Sequence, residues 1–153
     1  MKNWVLKIVL PLTVISFGTF TKWWYAIPID APDTMFVGFP LAYSCQGWHT
    51  SLSLQIFVTE FVIDILLYFL FWFILIFCID RFMTIVKTYR WVTIGLWFVS
   101  GFFIVSGTLL AANPDNIFFL KRPFDMQVLE TGYEFIWQDT VRPDYSKYIP
   151  KEK

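Results

Sequence analysis

The stretch from Ile56 to Ile79, IFVTEFVIDILLYFLFWFILIFCI, is interrupted by only two charged residues, Glu60 and Asp64, and by none from Ile65 onward. A bilayer with a ~30 Å hydrocarbon core requires about 20 apolar residues of a helix that crosses it, whereas a helix of a soluble domain shows a one-sided apolar stripe. The run therefore reads as a transmembrane helix. Composition agrees: 57% of the chain is hydrophobic and 22% aromatic, with 16% charged, far from the soluble average.

Two further spans follow from the same reasoning. Trp91 to Ala112 holds no charge and is closed by Asn113-Pro114, a helix stop; its Gly95, Gly101 and Gly107 suit membrane helices that pack closely. Near the N-terminus, Ile8 to Phe20 is uncharged and bracketed by Trp4 on one side and Trp23, Trp24 and Tyr25 on the other. At ~1.5 Å rise per residue, Trp4 to Trp23 spans roughly 29 Å. A cleaved signal peptide is the rival, with Lys2 and Lys7 as its basic start, but Trp24 would stand at the −3 position of cleavage after Ala26, where a small residue is required. A retained span is the expectation.

The sequence thus predicts an all-α integral membrane protein with three transmembrane helices and a small outer-side cap that has room for a β-hairpin. Its parts are a first transmembrane helix within 1–25, an outer loop 26–55, a second transmembrane helix 56–79, a basic cytoplasmic loop 80–90, a third transmembrane helix 91–112 and an outer-side tail 113–153. In that tail, Thr131-Gly132 is a turn signal between two apolar stretches. Arg81, Lys87 and Arg90 against Asp80 place the 80–90 connection in the cytoplasm by the positive-inside rule. The N-terminus is then inside and the C-terminus outside, in a bacterial inner membrane if the Phe-, Ile- and Lys-rich vocabulary reflects an AT-rich genome.

Glu60 and Asp64 are the residues most in need of an explanation. At i and i+4 they share a helix face, and a carboxylate at the centre of a bilayer costs ~3 kcal/mol on insertion scales, less toward the interface. Three readings compete. The pair forms a proton or cation site, with Thr59, Thr13 and Ser16 as further oxygen ligands; it packs on a polar patch or a basic residue of another subunit; or the helix starts later and leaves Glu60 among headgroups. The rest of the chain offers no evident cation at that depth, which favours an external partner. A second feature is the set Thr93, Ser100, Gly107 and Ala111, a small-residue seam along the third span for packing within the bundle or against a partner helix.

Other chemistry is not indicated. No GxGxxG, GxxxxGK[ST], HExxH or GxSxG occurs, so no cofactor is expected. Cys45 and Cys78 have no metal-ligand spacing and no expected disulfide, and the single histidine, His49, cannot complete a zinc site with one cysteine. Thr50 or Ser51 reads as a cap of the second span. The net formal charge of zero gives no reason to expect nucleic acid. The functional expectation is a non-enzymatic accessory or structural subunit of a larger envelope complex, in contact with membrane lipid and with other subunits or copies of itself. The alternative is an oligomeric proton or cation pathway through Glu60 and Asp64.

Overall fold

The computed structural model describes residues 4–29, 31–48, 50, 52–83, 88–138, 141–144 and 147–148. The fold is α+β, not all-α. Three helical segments, α1 (Val5–Thr19), α2 (Val58–Cys78, continued by a wider turn over Ile79–Met83) and α3 (Arg90–Ala111), accompany six strands: β1 (Phe20–Pro28), β2 (Thr34–Val37), β3 (Ser44–Gln46), β4 (Leu54–Phe57), β5 (Ile117–Phe119) and β6 (Met126–Phe135). They form two compact units, one from Met1–Thr19 with Val62–Asn113, the other from Phe20–Phe61 with Pro114–Lys153.

In the helical unit, Val58–Met83 and Arg90–Ala111 are long and apolar enough to cross a membrane, whereas Val5–Thr19 is shorter. Three spans are thus corrected to two of sufficient length. The first helix ends at Thr19 because Phe20 to Pro28 is taken up as a strand: the aromatic residues that resemble an interface belt also have high strand propensity. The apolar faces of α2 and α3 lie open, Phe98 being 81% exposed and Phe71 61%.

What holds α1 is a set of hydrogen bonds that supply what its own backbone lacks. Its first five residues form a π-turn, in which the Leu10 amide bonds the Val5 carbonyl. The next bond of that series would come from residue 11, which is proline and has no N–H, so the Leu6 carbonyl needs another donor. The Trp97 indole of α3 provides it at 3.1 Å. Ser100, fully buried, reaches the Pro11 carbonyl at 3.0 Å, Trp72 of α2 donates to Ser16 at 2.8 Å, and Gly18 leaves the space that the Phe103 ring occupies. Trp4, Val5, Val9 and Ile76 form the apolar core here.

The other unit is a six-stranded mixed sheet of order β5-β4-β3-β2-β1-β6. Only β4 and β5 are parallel. The 26–55 and 113–153 segments are therefore one structure rather than a loop and a separate cap. Its core is Ala26, Phe36, Ala42, Cys45 and Phe57, completed by Trp24, Phe119, Phe124 and Met126.

No turn forms at Thr131-Gly132; β6 runs straight through and pairs with β1 from Phe20–Phe135 to Pro28–Met126, with a bulge beside Tyr25. Gly132 lies opposite Trp23, and a Cβ there would stand 2.6 Å from the indole. The glycine marks close packing, not a reversal. Gly132→Ala should lower unfolding stability by about 1–3 kcal/mol, and Trp23→Val should remove most of that penalty. Thermal melts of the single and double variants in detergent test this; a neutral Gly132→Ala would contradict the register.

Candidate functional site

Glu60 stands in the first turn of α2, and what surrounds it comes from about sixty residues later in the chain. The helix needs partners for its first backbone N–H groups. Thr59 receives them from the tail: both its amide, at 3.0 Å, and its hydroxyl, at 2.6 Å, donate to the Leu120 carbonyl. Two residues further on, the Arg122 amide donates to Glu60 Oε1 at 3.4 Å. Residues 120–122 thus cap α2. Thr50 does not, since strand β4 stands between it and Val58, where α2 begins, and Ser51 and His49 lie outside the described residues.

Glu60 is 9% exposed, and its Oε2 has no hydrogen-bond partner among the described residues. It borders a shallow polar recess of about 300 Å³ lined by Lys121, Arg122, Pro123, Phe124 and Asp125. The Arg122 guanidinium is turned away, donating to the Phe124 carbonyl at 3.2 Å and lying 3.6 Å from Met126 Sδ. Lys121 and Arg122 thus border the same recess as Glu60, but the contact that reaches its carboxylate is the neutral Arg122 amide rather than a side-chain cation. Asp64, one turn on, is fully buried.

The hydroxyls proposed as further ion ligands are engaged elsewhere. Thr13 donates to the Val9 carbonyl at 2.9 Å, Ser16 accepts from Trp72 and Thr59 donates to Leu120. Among the described residues no three acidic, histidine or cysteine side chains converge as a metal site. Cys45 is free and buried in the sheet core, and burial pushes its thiol up to about 12, which leaves it un-ionised and unreactive at neutral pH.

The seam residues part company. Ser100 faces α1, as described above, and also bonds the Leu96 carbonyl at 2.8 Å. Thr93 donates to the Tyr89 carbonyl at 3.3 Å. Gly107 has nothing within 4 Å of the place where a Cβ would be, and Ala111 is exposed. Gly95 and Gly101 are equally open, and Gly101 borders an apolar recess of about 630 Å³ shared with Trp97, Phe98, Val99, Phe102 and Val105.

A second polar cluster had no sequence signal beyond isolated charges. Arg142 Nη2 bonds both the Asp33 carboxylate and the Asp33 carbonyl at 2.6 Å. The buried Tyr25 hydroxyl donates to the same carboxylate at 2.6 Å, and Tyr148 donates to Glu130 at 2.6 Å while its ring meets that of Tyr25 at 6.0 Å. These contacts fasten Arg142 and Tyr148 to the sheet. The Tyr25 hydrogen bond, reinforced by Arg142, holds the Asp33 carboxyl below its usual value of 3.8 against the opposing effect of burial. Burial, with the Asp33 charge, raises Tyr25 to about 12.

Comparison with known proteins finds no matching family, no matching curated protein and no matching solved structure.

Two expectations follow. Glu60→Ala should free the 121–125 turn, seen as several-fold faster trypsin cleavage after Lys121; an unchanged rate would show that Thr59 alone holds it. For the tail, a depressed Asp33 pKa contributes stability above 3.8 that is lost as pH falls through the lower folded value. A raised Tyr25 pKa contributes stability below 10.0 that is lost as pH rises toward about 12. Hydrogen exchange at Val141, Arg142, Asp144, Lys147 and Tyr148, corrected for intrinsic rate, should therefore show protection that is level between those limits and falls on either side, and Asp33→Asn should abolish it throughout.

Proposed function

We propose that this chain is a non-enzymatic accessory subunit of a membrane assembly, anchored by α2 and α3, with its six-stranded sheet on one side of the bilayer. The observation that carries this is the open apolar recess around Gly101 on α3. Lipid or another helix suits such a surface, and a glycine without neighbours lets a second helix backbone approach closely, where packing contacts are strongest.

Connectivity supports the one-sided arrangement. β4 runs directly into α2, and α3 returns within a few residues to β5, which pairs with β4. If α2 and α3 cross as a hairpin, the sheet stands where the hairpin begins and ends. Arg81 and Arg90 at the opposite turn, against Asp80, favour a cytoplasmic turn and an outer sheet, periplasmic in a bacterial inner membrane. The acids carry less of this reading than they would from sequence alone, since Glu60 is met by the chain's own tail. The proton-pathway alternative gains nothing from the engaged hydroxyls of Thr13, Ser16 and Thr59.

Gly101→Leu provides the test. Because nothing lies within 4 Å of a Cβ at this position, the substitution fits the isolated chain and gains roughly 1 kcal/mol of helix propensity, yet fills the recess. Mild-detergent affinity purification from the native host should recover helical partners with the wild-type chain and roughly tenfold less with Gly101→Leu at equal expression, a loss worth ~1.4 kcal/mol. Equal recovery would remove the recess from the interface.

A further inference from the structure

The two ends of the sheet differ in chemistry. From the Phe20–Phe135 pair to the Pro28–Met126 pair the β1–β6 ladder extends roughly 26 Å at ~3.3 Å per residue. At its Phe20 end the rings collect. Phe20 stacks on Tyr133 at 5.7 Å and meets Phe39 at 5.7 Å, while Phe135 stacks on Trp137 at 4.8 Å. These rings are not hidden: Trp137 is 70% exposed and Tyr133 60%, with Ile136 between them in the chain at 63%. Lys22 accompanies them, its ammonium 3.6 Å from the Trp24 ring centroid and 5.7 Å from that of Tyr133. The other end carries the charged Asp33–Arg142 and Glu130–Tyr148 contacts. Apolar side chains are exposed there too, Ile29 and Leu52 among them, and the ring contacts described there, Tyr25 with Tyr148 and Trp48 with Phe124, are tilted rather than stacked.

The aromatic end is also the one at which the chain leaves for the apolar helices. Phe20 follows Thr19, the last residue of α1, with no loop between. Three antiparallel steps separate β1 from β4, so β4 ends at the same end of the sheet where β1 begins, and α2 starts at the next residue, Val58. Rings with a polar edge, interleaved with a lysine, are the side chains that concentrate at the headgroup layer of a bilayer.

We propose that this end of the sheet is a lipid-contacting surface, with Tyr133, Ile136 and Trp137 seated among the headgroups and the Lys22 ammonium directed to lipid phosphates. The proposal rests on the bilayer reading above, and its test separates the two. Nitroxide labels are introduced singly at Ile136→Cys, Gln127→Cys and Phe102→Cys, with Cys45 and Cys78 replaced by alanine. The full chain is then reconstituted in phosphatidylcholine–phosphatidylglycerol vesicles, and the ratio of oxygen to nickel-chelate accessibility is measured. The expected order is a high ratio at 102, an intermediate ratio at 136 that is several-fold above that at 127, and a water-like ratio at 127. A lipid-like 102 with 136 as water-exposed as 127 would overturn the proposal and leave the membrane anchor standing. Equal lipid exposure at 136 and 127 would also overturn it, since the ladder would then lie flat. A water-exposed 102 would overturn the bilayer reading and the proposal together.

Discussion

The antiparallel pairing of β1 with β6 is the contact on which the strand-bearing unit depends, because it joins residues 20–28 to residues 126–135 across nearly the whole chain. β6 has no other strand neighbour, so its register is set by β1 alone. Trp23 sets it: only Gly132 leaves room for the indole, and a one-residue slip would put Thr131 or Tyr133 there and turn every β6 side chain to the opposite face. The entropy of closing so long a loop grows only with the logarithm of its length, about 0.6 kcal/mol per doubling. α2 and α3, folded as elements of their own, shorten it further.

Once β6 is in place, the chain after α3 supplies Phe119 and Phe124, two of the five aromatic residues of the sheet core. Phe124 meets Phe57, Phe36 and Trp48 at 5.8, 6.1 and 5.4 Å, and Phe119 stacks on Phe57 at 6.1 Å. Strands β1 to β4 without these rings would expose Phe36 and Phe57, both of which are fully buried. The segments on either side of the two long apolar helices therefore fold together or not at all. β5 and β6 can pair with β4 and β1 only once the chain has passed through both helices.

The apolar runs of α2 and α3 were legible because length and lack of charge are one-dimensional properties. The sheet was not. β2, β3, β4 and β5 are three or four residues long, too short for alternation to be told from chance, and Trp23-Trp24-Tyr25 serves a strand with the same residues that would serve an interface belt. Thr131-Gly132 carried a true signal with two physical meanings, reversal or close approach, and sequence alone favoured the commoner one. At the candidate site, the one-turn spacing of Glu60 and Asp64 could be read directly. Their surroundings could not, since Leu120 and Arg122 meet the start of α2 only through the β4–β5 pairing.

That pairing changes what the acids imply. A carboxylate in mid-span would demand a partner from outside, but Glu60 is in the first turn of α2, where insertion costs less than the ~3 kcal/mol of the bilayer centre and the helix dipole favours a negative charge by roughly 0.3–1 kcal/mol. The Leu120 carbonyl and the Arg122 amide are complementary to this helix start, an acceptor for the bare Thr59 N–H and a donor for the acid. The same three tail residues therefore follow β5 directly and cap the start of α2. An acid in this position serves to fix where β5 stops and α2 starts, and the exposed apolar side chains lie elsewhere, on the open side of α3 and at the ring-lined end of the β1–β6 ladder.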